Sequence, residues 1–159
     1  MSINSNYKKV FLVQHGEAKS EAEDPQRSLT ENGKVTVEKV ATWAAQIGIQ
    51  VDEIRHSGKT RAQQTAEIFA KHLNISNIQA VSGLAPLDDV KPVAEQLEKE
   101  ERTLMLVGHL PFMNRLASQL LINNPEKTVV RFRMGGLVGL EHNEEGWVVF
   151  CIVPPEMVL

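Results

Sequence analysis

Three short apolar runs, each closed within a few residues by glycine and a group of polar side chains, constrain this chain more than any other feature. Lys9-Val10-Phe11-Leu12-Val13 stops at Gln14-His15-Gly16, and Val51 to His56 stops at Ser57-Gly58-Lys59. Thr103 to Val107 stops at Gly108-His109-Leu110-Pro111. Short runs of this kind suit strands buried on both faces, as in a parallel sheet. Helical patterns separate them. Thr30 offers an N-cap to a helix that places Val37, Val40, Ala41 and Ala44 on one face, and Gly48 marks its stop. Thr60 and Gln63 form a candidate capping box ahead of Ala62, Ala66, Phe69, Ala70 and Leu73. Val90, Val93, Ala94 and Leu97 make a third stripe, and Pro111 fits the first turn of a fourth helix through Leu116 and Leu120. Ile78 to Val81 reads as a short strand. The tail from Val129 to Val153 is strand-like, with Asn143-Glu144-Glu145-Gly146 as a hairpin turn.

Strands alternating with helices imply an α/β fold: a three-layer α/β/α sandwich with a mostly parallel central sheet and C-terminal antiparallel strands. No repeat, low-complexity tract or linker divides the sequence, so residues 1–159 are expected to form a single domain. That length buries roughly 68–70% of the unfolded surface without disulfides or metals. The formal charge of −3 gives no electrostatic case for nucleic acid. Cys151 has no second cysteine to pair with or to share a zinc ion. The apolar stretches fall far short of the roughly 20 residues that span a membrane. MSINSNYKK at the N-terminus lacks the apolar core of a secretory signal, so a cytoplasmic location is expected.

In sheets of this class, ligands bind beyond the carboxyl ends of the strands. Three such ends carry chemistry here: Gln14-His15-Gly16, Lys59-Thr60-Arg61 and Gly108-His109. Glycine beside each histidine lets a bulky ligand approach the backbone. Arg61 falls in the first turn of one helix and His109 just before another, where unpaired N–H groups and the helix dipole favour an anion. Two imidazoles, a guanidinium and two helix ends describe a phosphoryl site. Each residue alone has a plainer use: a histidine at a strand end is commonly structural, an arginine packs its stem on its helix, and a glycine makes a tight turn. Their recurrence at equivalent strand ends carries the argument.

Leu12-Val13-Gln14-His15-Gly16-Glu17-Ala18 resembles the Leu-x-Arg-His-Gly-x-Ala signature of the histidine phosphatase superfamily, in particular its small SixA-type phosphohistidine phosphatases. Arg27-Ser28-Leu29-Thr30-Glu31-Asn32-Gly33, Ser57-Gly58-Lys59-Thr60-Arg61-Ala62-Gln63-Gln64-Thr65 and Val107-Gly108-His109-Leu110-Pro111 follow in family order. The resemblance implies a phosphoglycerate mutase-like fold and a nucleophilic His15 that is transiently phosphorylated and then hydrolysed. It also implies that Arg61 and His109 hold the phosphoryl oxygens, with Gln14, Gly16 and Arg27 as further phosphate contacts. No metal and no cofactor are expected, because cationic donors take a metal ion's place.

Gln14 departs from the pattern, which has arginine before the nucleophile. Glutamine keeps an amide donor but loses the charge and the two-pronged geometry. Removing one preorganised donor costs about 10²–10³ in rate, so a handicapped enzyme is expected, or a module that binds phosphate without efficient turnover. Larger relatives use a carboxylic acid to protonate the leaving group. Asp88, Asp89 and Glu17 are candidate proton donors here, although Asp88 and Asp89 also fit as helix-capping residues and Glu17 as a solvated loop carboxylate. Phosphohistidine needs little acid assistance, and no insertion is long enough to form a cap. Both points favour a phosphorylated protein, such as a histidine-containing phosphotransfer domain, as substrate. A small-molecule phosphomonoesterase is the third reading. Inorganic phosphate or sulfate fits the same site. His56 ends a strand nearby, His72 and His142 read as helix-surface and hairpin residues, and Trp43 and Trp147 as packing residues.

Overall fold

The computed structural model describes residues 7–159. The six residues before them, on which the reading of the N-terminus as lacking a signal partly rests, lie outside the described residues. The elements run β1 (Lys8–Gln14), α1 (Glu31–Gln46), β2 (Glu53–His56), α2 (Thr60–Leu73), β3 (Ile78–Ala80), α3 (Lys91–Lys99), β4 (Leu104–Gly108), α4 (Phe112–Ile122), β5 (Leu137–Asn143) and β6 (Gly146–Val153), with a 3-10 turn at Pro155–Met157. They form one six-stranded sheet in the order β3-β2-β4-β1-β5-β6. β1, β4, β2 and β3 are parallel, β5 runs antiparallel beside β1, and β6 returns antiparallel to β5.

The continuous apolar runs are explained by burial on both sides. Val10 and Leu12 face a core built with α3 and α4, whereas Phe11 and Val13 face a second core built with α1 and α2. That alternation is the two-residue period of a strand. The fold is the expected three-layer α/β/α sandwich with a mostly parallel sheet and antiparallel strands at its C-terminal end. All four helices belong to the two outer layers, so among the described residues none is left to cover the sheet's carboxyl edge.

The register sets up that edge. Gln14 lies opposite Gly108 and Val107 opposite His56, so the chain leaves β1, β4 and β2 at nearly the same height. Adjacent parallel strands thus deliver His15, His109 and the Ser57–Arg61 segment to one place.

Three local expectations need correction. Residues 129–136 are not strand: Gly135 has φ +76°, and its N–H donates to the carbonyls of Gln14 (2.9 Å) and His15 (3.2 Å). The segment is therefore a loop folded over the end of β1, and β5 starts only at Leu137. The Thr60/Gln63 capping box is absent. Lys59 is the N-cap residue of α2 and has no side-chain capping bond, while the hydroxyl ahead of it, on Ser57, is used elsewhere. Pro111 sits at the N-cap of α4 rather than within its first turn. Thr30 does cap α1, accepting from the Gly33 N–H at 2.9 Å. Trp147 is a packing residue whose indole N–H donates to Glu98, and His72 pairs with Glu38 on the helix surface. No helix among the described residues is long and apolar enough to cross a membrane.

Candidate active site

His15 follows β1 directly and is tied down from both sides. Its backbone N–H donates to the Gly108 carbonyl at 2.9 Å, and its ring Nδ1 lies 2.7 Å from the Gly16 carbonyl. A carbonyl only accepts, so Nδ1 carries the hydrogen, and in the neutral ring the lone pair belongs to Nε2. Burial lowers the His15 pKa. The bond to Gly16 opposes the shift, and the nearby charges of Arg61 and Arg27 reinforce it. The imidazole is held neutral with one nitrogen free.

His109 directly follows β4 and is 1% exposed, its ring centroid 5.1 Å from that of His15. Its Nε2 lies 2.6 Å from Ser57 Oγ, which also accepts the Lys59 N–H at 3.3 Å. The arrangement that leaves no Ser57 hydrogen unused has the hydroxyl donating to Nε2, which puts the ring hydrogen on Nδ1. That Nδ1 is buried without a partner. Burial, then His15, Arg61, Lys59 and Arg27, push the His109 pKa down to about 3.

Arg61 stands in the first turn of α2, and its Nε is likewise buried and unpartnered. Its pKa is lowered by burial and then by Arg27. Gln14 is 8% exposed, and its Oε1 also lacks a partner. An unsatisfied buried polar atom costs about 1–3 kcal/mol. Three of them at the ends of β1 and β4 and the start of α2 mark a place built to be filled. Two of the three belong to groups that donate to an oxyanion. Half a turn of the Gln14 amide would present its NH₂ group to the same anion.

Arg27 takes a left-handed backbone conformation (φ 51°), unusual for a residue with a side chain. Its Nε donates to the Lys19 carbonyl at 3.1 Å, and its charge acts on His15, Arg61 and His109. The structure thus brings His15, Arg61, His109, Gln14, Gly16 and Arg27 together. It does not bring the candidate acids in as free groups. Glu17 accepts the Thr30 hydroxyl at 2.6 Å, Asp88 accepts the Ala85 N–H at 2.9 Å, and Asp89 accepts the Lys91 N–H at the start of α3 at 3.0 Å.

Sequence reasoning missed the supports. Gly16 donates its N–H to Thr65 Oγ1 (3.0 Å), and that hydroxyl donates to the Arg61 carbonyl (2.8 Å), linking the His15 turn to α2. Gln64 accepts the Leu29 N–H at 2.7 Å, anchoring the segment after Arg27. Thr65 is fully buried on an apolar helix face, and a polar residue on such a stripe is the signal that could have found it. Ser57 had no comparable signal.

A family model described as histidine phosphatase superfamily (branch 1) matches residues 10–90 of the 159. The chain belongs to the histidine phosphatase superfamily. Its match takes in His15, Arg27 and Arg61, while His109 lies beyond it. The chain is 27% identical over 143 residues to the phosphohistidine phosphatase SixA of Escherichia coli (strain K12), covering 86% of this chain and 87% of that protein. It is also similar to the structure of the protein histidine phosphatase SixA complexed with tungstate, with a TM-score of 0.81 and 25% identity over 92% of this chain and 97% of that one. A mutant phosphoserine phosphatase from Entamoeba histolytica, in complex with phosphoserine, shares the fold (TM-score 0.73, 17% identity, 96% and 100% covered). The superfamily's fold therefore extends through the β5–β6 hairpin, for which the sequence offered only a strand pattern.

Proposed function

We propose that this chain is a SixA-like phosphohistidine phosphatase that takes the phosphoryl group from a protein phosphohistidine through a phosphorylated His15. The single observation behind the reading is the His15 ring. Its Nδ1 is fixed by the Gly16 carbonyl, its Nε2 is free, and the unpartnered donors of His109 and Arg61 lie close by. Nε2 attacks phosphorus in line as the substrate's P–N bond breaks, and the departing imidazole takes a proton from water. Arg61 and the His109 Nδ1–H hold the equatorial oxygens, with the charge of Arg27 behind them. Water then attacks phospho-His15, releasing inorganic phosphate and the free ring.

Imidazole is a far better leaving group than an alkoxide, so this reaction does without the engaged carboxylates of Glu17, Asp88 and Asp89. The cationic donors do what a metal ion would, and a chelator should leave the rate unchanged. The similar SixA structure is complexed with tungstate, a tetrahedral oxyanion, which supports an oxyanion as a ligand here.

The test is phosphate release from a phosphorylated histidine-containing phosphotransfer domain. The wild type should release phosphate and label at His15, and His15→Ala should do neither. Release no faster than that control would overturn the reading. Gln14 favours a second one, a module that binds phosphate or phosphohistidine without efficient turnover; it predicts binding of phosphate analogues with no release.

A further inference from the structure

Three of the loops on the rim of the phosphoryl site carry an apolar side chain exposed to water. Leu87 is 83% exposed, Leu110 40% and Met134 46%. Leu110 directly follows His109. Met134 precedes Gly135, whose N–H is bound to the carbonyls of Gln14 and His15. Leu87 belongs to the loop between β3 and α3, where the Leu84 carbonyl lies 3.6 Å from the point at which Gly108 would carry a Cβ. All three therefore stand at the carboxyl edge of the sheet, around one pocket, although they come from separate parts of the chain.

The pocket itself has no use for them. Its buried groups are an arginine, two histidines and an amide, all suited to a phosphoryl group. A small phosphate monoester would be taken into a concave site lined by its recognition groups. Side chains standing clear on loop tips suit a broad, convex contact instead. Protein interfaces have this plan: apolar anchors near the centre of the patch, with charge at defined points. Lys59 adds such a point, exposed at the start of α2 with no ion pair among the described residues.

We propose that Leu87, Leu110 and Met134 form an apolar collar that seats the protein carrying the phosphorylated side chain, docking it so that the phosphoryl group enters the cationic pocket. The proposal rests on the phosphatase reading above for its substrate. The occupant is a phosphoprotein whose phosphorylated side chain emerges from an apolar patch of its own surface. The collar is continuous with the pocket, so one partner satisfies both.

The test compares the wild type with a Leu87→Ser/Met134→Ser double variant, which leaves the pocket residues untouched. With a phosphorylated histidine phosphotransfer domain, KM should rise about 10-fold with kcat within about 2-fold. On free phosphohistidine, kcat/KM should stay within about 2-fold, which also reports an intact fold and pocket. Equal losses on both substrates, or no loss on either, would overturn the collar. Binding of the same phosphoprotein is measured in parallel with His15→Ala in both backgrounds, where Kd should weaken about 10-fold in the double variant. If the wild type releases no phosphate from either substrate, the phosphatase reading fails, and the binding comparison still decides the collar. Hexyl phosphate is the last probe. If it loses affinity as much as the phosphoprotein does, the collar holds a small amphiphile and the proposal falls.

Discussion

At position 14 the pocket has a neutral amide where a guanidinium would offer two parallel charged donors. Arg61, Arg27 and Lys59 supply the positive charge that acts on His109, but none of them grows out of β1 beside the nucleophile. Gln14→Arg is therefore expected to raise kcat/KM on a phosphohistidine protein by about 10–100-fold, near the lower end of what one preorganised donor contributes. No gain in steady-state assays would mean that the cations already present fill the role. Burial, reinforced by the charges of Arg61 and Arg27, sets the working pH. His15 attacks only when neutral, and because its pKa is lowered, it stays neutral below the ordinary histidine value of 6.5. The acid limb of the kcat/KM profile should then lie below pH 6.5. Arg61 is one cause of the lowering, so Arg61→Gln should move that limb upward, apart from the fall in rate. A limb that stays in place would rule out the coupling between the two residues.

Among the elements, α1 decides how closely the His15 turn can pack. A Cβ on Gly33 would lie 2.2 Å from the Glu17 carbonyl oxygen, a backbone atom that no rotamer change can move aside. Gly33→Ala must push the 16–18 turn away from the helix. We expect a loss of about 1–3 kcal/mol in chemical denaturation together with a drop in kcat, because the displaced turn carries the Gly16 carbonyl that fixes the His15 ring. Unchanged kcat in a destabilised variant would separate the helix contact from the site. Gly33 also shows where sequence reading ends. The apolar runs and helical stripes announced the sheet, its parallel core and the strand ends that carry His15, Arg61 and His109, because burial leaves a period in the sequence. Contacts between distant segments leave none. The bond from Gly135 to the end of β1 turned residues 129–136 from an expected strand into a loop. The Thr60/Gln63 box expected at the start of α2 did not form: Lys59 is the N-cap residue, and the nearby Ser57 hydroxyl is held by His109, 52 positions away. Thr30, whose capping partner is three residues on, was legible for the opposite reason.

For the molecule as a whole, a net charge of −3 coexists with a site in which arginines, a lysine and histidines crowd together, and the fold holds them there at a cost in proton affinity. His15, His56 and His109 all lie at the carboxyl edge, and burial lowers the pKa of each. His109 is the extreme case, 1% exposed and at about 3. In the unfolded chain it takes up a proton near the ordinary value of 6.5, whereas in the folded chain it does so only near 3. Unfolding within that window therefore binds a proton. The stability that His109 contributes is fully present above pH 6.5 and is lost as pH falls toward 3, by up to about 1.4 kcal/mol per pH unit. His15 and His56 act in the same direction. Carboxylates such as Glu53, with an ordinary value of 4.5 and a folded value below it, add their own loss only at lower pH. Between pH 6.5 and 4.5 the histidines dominate, so urea midpoints measured across that interval isolate them. The wild type should lose stability steadily there. His109→Asn keeps a polar group toward Ser57 but cannot titrate, so its loss should be visibly shallower. If the two midpoints fall in parallel, His109 is not excluding a proton, and its neutral ring, with Nδ1–H offered to a phosphoryl oxygen, loses its basis.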